Sequence, residues 1–281
     1  TVTITLIIVS MIGVYKIKVS GSLIEDMPKG KDFFKDIEFF EEEFGGIMPL
    51  EIVIDTKKEN GVMSLSTLKR MEKLDETIEE IPQLSKPISV LNIVKYSKQA
   101  FYNGLPEYYQ LPSSQEKNWI LNYSKNSSTN THLLDNFVDS TGRHARITTF
   151  MKDIGTDKMT NIEERLQQKI NKEFPKEKYD VSMTGGALVF LKGTNYLINN
   201  LVISLSLAIL LIAIFMAFMF RSFRMILISL IPNIFPLLIT AGLMGYLGVP
   251  IKPSTILVFS IAFGISVDDT IHFFAKYRQE L

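Results

Sequence analysis

Three long apolar segments fill the last third of the chain. Residues 197–220 and 225–247 contain no charged side chain, and a third apolar segment runs from about 254 to 275. A helix that crosses a bilayer needs about 20 mostly apolar residues, so each segment is predicted to span a membrane. Arg221 and Arg224 lie in the four-residue link between the first two segments, so these two helices should be antiparallel neighbours.

A shorter apolar run opens the chain. It covers residues 1–15, which is less than a full span, and it lacks the basic leader and the small-residue cleavage site of a signal peptide. We therefore expect the second half of a membrane helix whose start lies outside this chain. On this interpretation the chain is a fragment.

The residues between these apolar regions, 16–196, are polar, and their pattern predicts a mixed α/β domain. Apolar residues at helical spacing predict helices over 31–44, from Ser64 or Ser66 to Ile81, and over 160–174. Alternating patterns predict strands over 49–55, 146–151 and 179–184, and residues 88–96 indicate a short strand that enters a helix. Such strand–helix–strand signals are typical of ferredoxin-like sandwiches, although the pattern does not give the strand order.

The composition of the chain excludes several classes of function. The chain has 281 residues with 30 basic and 30 acidic side chains, and it has no strong basic cluster, which argues against a nucleic acid partner. It has no cysteine, so a disulfide framework, a thiolate metal site and a cysteine nucleophile are excluded. We expect no cofactor.

Two adjacent carboxylates, Asp268 and Asp269, lie within the third apolar segment after 13 uncharged residues. A charged side chain at the centre of a bilayer costs about 2.5–3.5 kcal/mol or more, so such residues usually mark an ion or proton pathway. Burial and mutual repulsion favour the neutral form of adjacent carboxyl groups. We predict that this pair is a proton relay. The alternative is that the two carboxylates only solvate the end of the helix, together with Lys276 and Arg278.

Other residues of the same segment could support such a relay. His272 is four residues from Asp268 and three from Asp269, so it can approach either carboxylate. Ser266 and Thr270 supply small hydroxyl groups. Gly264 lies four residues before Asp268 and is predicted to leave room for close helix packing on that face.

The second apolar segment contains Pro232, Asn233 and Pro236. Proline removes a helical hydrogen bond, and two interpretations remain open. The prolines produce an ordinary kink, or they form a hinge beside the aspartate helix, with Asn233 donating a hydrogen bond to a carboxylate.

Lysine and arginine are enriched in cytoplasmic loops of membrane proteins. The short link at 221–224 holds two arginines, whereas the short loop before the third segment holds only Lys252. We therefore expect the arginine link in the cytoplasm and the polar domain outside.

Several stretches resemble one transporter family. The run from Pro232-Asn233 through GLMGYLGVP to GISVDDTIHFFAKYR resembles the fourth-helix region of resistance-nodulation-division (RND) transporters. The resemblance is strongest to the MMPL-type predicted exporters, which are related to hopanoid exporters and to Patched-like proteins with a sterol-sensing domain. VSGSLIEDMPKG, EEEFGG, ARITTFMKDIG and YDVSMTGG extend the resemblance to essentially the whole chain.

The resemblance implies an α+β membrane protein: a transmembrane bundle of helices 1–4 of an RND-type half, plus an extracytoplasmic α/β porter domain of ferredoxin-like βαβ units. The domains would be a partial first helix at 1–15, the porter domain at 16–196 and helices two to four within 197–281. Asp268 and Asp269 would match the family's proton-relay acids.

The resemblance also implies a function and partners. The protein would reside in the cytoplasmic membrane and export lipids or other hydrophobic compounds, driven by protons. Its partners would be membrane lipids, the hydrophobic substrate and the missing second half of the transporter, and assembly into a homo-oligomer is left open.

Rival functions differ in what they require. An intramembrane aspartyl protease needs two aspartates from different helices, whereas these are neighbours on one helix. An ATP-driven pump is disfavoured because G-x-x-x-x-G-K-[ST] is absent from the sequence. A lipid- or sterol-sensing regulator without transport activity remains, since it shares the helical layout but does not need the acid pair for flux.

Overall fold

The elements of the chain were determined from a computed structural model that describes residues 2–22, 24, 32–120, 134–220 and 223–280. The predicted arginine link lies partly outside these residues. The strands are β1 (Met48–Asp55), β2 (His144–Met151) and β3 (Asp180–Thr184). The helices are α1 (Val2–Tyr15), α2 (Asp32–Phe44), α3 (Leu65–Glu79), α4 (Val90–Phe101), α5 (Thr156–Glu173), α6 (Gly186–Phe220), α7 (Phe223–Leu247) and α8 (Pro253–Glu280).

The chain divides into two compact units. One consists of residues 1–21, 155–157 and 191–281 and contains the apolar helices α1, α7, α8 and most of α6. The other consists of residues 22–154 and 158–190 and contains the sheet with helices α2 to α4 and most of α5.

The sheet of the second unit has β1 at its centre. Every second residue of β1 is buried, at Met48, Leu50, Ile52 and Ile54, as the alternating pattern predicts. Both β2 and β3 pair antiparallel with β1, so the strand order is β2-β1-β3. Strands β2 and β3 therefore run in the same direction with β1 between them, joined by α5.

That arrangement is the split βαβ unit of ferredoxin-like folds. It agrees with the predicted strand–helix–strand pattern, and it supplies the strand order that the sequence leaves open. The described residues contain three strands in this sheet, so the complete ferredoxin-like sandwich stays a prediction.

Helices α3 and α4 begin at capping serines. The Ser64 side chain accepts a hydrogen bond from the Thr67 amide, which selects Ser64 over Ser66 as the cap. Ser89 caps α4 in a capping box with Asn92. Ile88 forms an isolated bridge with Thr148 of β2 just before that cap, so a single bridge stands where the sequence predicts a short strand before the helix.

Among the described residues, three helices are long and apolar enough to cross a membrane, at Gly186–Phe218, Leu230–Leu247 and Pro253–Phe274. A shorter apolar helix lies at Thr5–Tyr15. Helix α6 begins at Gly186 instead of 197 because the intervening residues, although partly polar, include no proline to stop the helix. Helix α8 likewise continues past 275 to Glu280.

Candidate functional site

Helices α1 and α7 approach each other closely at glycines. A Cβ atom added to Gly242 would lie 2.6 Å from Ser10 Cα, and one added to Gly13 or Gly245 would overlap a backbone carbonyl of the partner helix. The Tyr246 hydroxyl donates to the Val9 carbonyl at 2.8 Å. The glycines of α7 thus allow backbone contact with α1, as small residues do in membrane helix pairs.

Helices α7 and α8 share a polar contact. Asn233 of α7 is only 4% exposed, and its Oδ1 accepts a hydrogen bond from the Ser266 hydroxyl at 2.5 Å. The Thr270 hydroxyl lies 3.0 Å from the same Oδ1 and 2.9 Å from the Ser266 carbonyl. A hydroxyl has one proton, so Thr270 shares it between these two acceptors. Ser266 and Thr270 are one helical turn apart and face α7 together.

The prolines of α7 lie on a different side of that helix. Pro232 and Pro236 are exposed, whereas Asn233 between them is buried. Because proline has no N–H, the carbonyl of Pro232 cannot receive a hydrogen bond from position 236. The Pro236 carbonyl in turn accepts one from the Thr240 hydroxyl at 2.9 Å. The helix continues through both prolines from Phe223 to Leu247.

Asp268 and Asp269 lie on the open face of α8. Phe263 and Val267 are buried, whereas both aspartates are exposed. At about 100° per residue, Asp268 lies about 160° around the helix from Ser266 and from Thr270. The carboxylate of Asp268 is therefore turned away from the contact with α7. Asp269 lies closer to that contact, about 60° from Ser266.

His272 lies beside the first aspartate. Its Nε2 is 3.6 Å from Asp268 Oδ1, and the two side chains are 79% and 71% exposed. The separation of four residues places them on one face, as the sequence predicts. The exposed residues Ile261 and Ile265 continue this face toward the start of α8. The two ionisable side chains thus border an apolar helix surface.

Apart from the two prolines of α7, the predicted site residues fall into two groups. One group forms the contact between α7 and α8 and consists of Asn233, Ser266 and Thr270. The other lies on the open face of α8 and consists of Asp268, Asp269, His272 and Gly264. An added Cβ at Gly264 would meet nothing within 4 Å among the described residues. Donation from Asn233 to a carboxylate stays a prediction.

Two features escape the sequence patterns. Ser10 and Gly13 of α1 complete the glycine contact with α7. The spacing of three residues between these small residues of α1 was the signal from which the helix contact could have been predicted. In the second unit, Asp75 of α3 lies one turn from the buried residues Met71 and Ile78, and its Oδ1 is buried with no hydrogen-bond partner in the described structure. The position of this carboxylate beside the apolar face of α3 was the signal from which its burial could have been predicted.

The comparison with protein families gives a match over residues 27–281, to the family described as "MMPL family". This range covers most of the chain, including the sheet, α6, α7 and the aspartate helix.

The chain belongs to the MMPL family.

A search among curated proteins found no match. Membership in the MMPL family indicates an RND-like transporter or a related membrane protein. The three apolar helices agree with a location in a membrane.

Proposed function

We propose that this chain is part of a proton-driven exporter of lipids or other hydrophobic compounds in the cytoplasmic membrane. In this proposal Asp268 and Asp269 bind and release the protons.

The observation that carries the proposal is the position of the two carboxylates on α8. They are exposed on a helix whose residues Pro253–Phe274 are apolar enough to span a membrane. Two ionised carboxylates facing hydrocarbon would each cost several kcal/mol. The two carboxylates must therefore be neutralised by protons or be covered by other protein groups on that face. A transporter alternates between these two situations as it changes conformation.

The chemistry requires only reversible protonation. A neutral pair is compatible with a closed, dry environment, and an ionised pair requires water or a positive partner. Each proton that crosses the membrane supplies about 2.3 kcal/mol per 100 mV. His272, with Nε2 3.6 Å from Asp268 Oδ1, is placed to exchange a proton with that carboxylate.

The remaining parts of the chain take supporting roles in this proposal. The sheet unit serves as an extracytoplasmic porter domain for the hydrophobic substrate. A second half of the transporter, or a second copy of the protein, covers the open face of α8 and supplies the partners of the carboxylates. Membrane lipids surround the exposed sides of α6.

Asparagine substitutions test the proposal. In the full-length protein reconstituted into vesicles, an imposed pH gradient should drive export of Nile red, a neutral hydrophobic dye. Asp268→Asn, Asp269→Asn and the double variant should each abolish the dependence of export on the gradient, because an amide cannot carry a proton. Asp180→Asn, at an exposed carboxylate of β3, makes the same chemical change outside the membrane helices and should leave export intact.

Gradient-driven export in all three aspartate variants would overturn the proton role of this pair. Complete absence of export from the parent protein, with lipid-dependent changes in its conformation, would instead favour the lipid-sensing regulator.

A further inference from the structure

Asn233 joins α7 to the part of α8 that carries the carboxylates. The hydroxyls that approach its Oδ1 belong to Ser266 and Thr270, which lie two residues before Asp268 and one residue after Asp269. The amide is almost fully buried. A buried amide oxygen without a donor is costly in a low-dielectric setting, so the contact favours one arrangement of the two helices.

The contact also restricts rotation of α8 about its own axis. The two hydroxyls lie within about 40° of each other on the helix surface, so both reach Asn233 at one rotation only. A rotation of about 60° would turn Asp269 toward Asn233, in the direction that Ser266 now faces and about 4.5 Å further along the axis. That alternative replaces a hydroxyl donor by a carboxylate, which can donate to the Asn233 oxygen only when it is protonated.

We propose that Asn233 is a positioning residue. Through Ser266 and Thr270 it sets the rotation of α8, so that Asp268 faces away from α7, Asp269 lies to the side of the contact, and both can meet the groups with which they exchange protons. This inference rests on the proposed function of the pair. Asn233 itself takes no proton.

Matched substitutions separate the hydroxyl groups from the volume of the side chains. Ser266→Ala with Thr270→Val removes both donors and keeps nearly the same shape, whereas Ser266→Thr with Thr270→Ser keeps both donors. Thr240→Val and Ser260→Ala serve as controls, since these hydroxyls bond to carbonyls of their own helices at 2.9 and 2.8 Å. Asn233→Leu removes the acceptor.

The measurement is the modification of Asp268 and Asp269 by a hydrophobic carbodiimide, which reacts with protonated carboxyl groups. The full-length protein in lipid nanodiscs is labelled between pH 5 and 9, and modification of each aspartate is quantified by mass spectrometry. Loss of the hydroxyl donors should change the labelling rate at pH 7 about threefold to tenfold, the range that one interhelical hydrogen bond in a membrane supports. The hydroxyl-retaining pair and both controls should label as the parent protein does.

A thermal unfolding curve for each variant completes the test. A purely structural contact would lower the unfolding temperature without moving the pH profile of labelling, and this result would overturn the inference. If Asn233→Leu does not fold, the pH profile of labelling is measured on the Thr270→Val single variant instead. Failure of the proposed function is seen separately, as gradient-driven export that survives Asp268→Asn and Asp269→Asn.

Discussion

Gly13 of α1 and Gly242 of α7 lie backbone against backbone. A Cβ atom on Gly13 would overlap the Gly242 carbonyl oxygen, and one on Gly242 would lie 2.6 Å from Ser10 Cα. The atoms that these added Cβ atoms would meet belong to the backbone, so the clash cannot be relieved by movement of a side chain. The two helices can approach this closely because Gly13, Gly242 and Gly245 place no side chain between them.

Gly242→Ala should weaken this contact. We expect a loss of about 1–3 kcal/mol, the usual cost of overpacking a close contact, seen as a lower unfolding temperature of the detergent-purified protein. Gly193→Ala in α6 is the matched control, because a Cβ there meets nothing within 4 Å among the described residues. Equal unfolding temperatures for the parent and the Gly242 variant would show that α1 and α7 do not pack in this way.

Asp75 of α3 should destabilise the sheet unit at neutral pH. Burial raises the pKa of its carboxyl from 3.8 to about 7, with Glu79 adding to the rise and Lys95 opposing it. Because the pKa is higher in the folded state, ionisation costs stability: the penalty is absent below about pH 4, grows as the pH rises, and is complete above about pH 7, where it is at most about 4 kcal/mol.

Asp75→Asn should therefore raise the unfolding temperature, and more so at pH 8 than at pH 5. The measurement is thermal unfolding of the intact protein at both pH values. Glu76→Gln, the next and exposed carboxylate of α3, should have little effect at either pH. A stabilisation by Asp75→Asn that is the same at both pH values would contradict the assigned cause.

Glu116 neutralises a buried lysine. Its Oε2 lies 3.1 Å from Lys98 Nζ, and the side chains are 21% and 7% exposed. The Ser113 backbone N–H and the Tyr102 hydroxyl also donate to it, and they are the main causes that lower its pKa from 4.5 to about 2. The stabilisation is present above pH 4.5 and is lost as the pH falls toward 2.

Glu116→Gln should cost about 1–3 kcal/mol, because Lys98 then remains buried without a counter-charge. Adding Lys98→Met should restore most of the lost stability, which denaturant unfolding of the single and double variants would measure. Glu80→Gln breaks the exposed pair with Arg165, whose side chain is 51% exposed, and should cost less than about 1 kcal/mol. A double variant no more stable than Glu116→Gln would refute the pairing.

The spacing of apolar residues predicted helices and strands well, because this spacing depends only on residues that are neighbours along the chain. The alternating residues of β1 and the apolar face of α3 lie buried as the sequence predicts. Helix ends were less well predicted, because a cap depends on geometry: α3 ends at Glu79 before the predicted Ile81, and α6 begins at Gly186.

The candidate site was predicted in composition but not in arrangement. The sequence named Asp268, Asp269 and His272, since charged and polar residues in an apolar segment stand out. It also named Asn233, although the contact that the structure shows for its Oδ1 is with the hydroxyls of Ser266 and Thr270. Helical periodicity places residues on faces, but it does not say which face meets another helix.

The sequence by itself determined which segments are apolar enough to enter a membrane and that two carboxylates lie within one of them. Those properties follow from the length and composition of each segment, and they need no information about distant residues. Only the tertiary structure decided that β1 lies between β2 and β3, that glycines bring α1 against α7, and that Asp268 faces away from α7. These relationships depend on contacts between residues far apart in the chain, which local patterns do not encode.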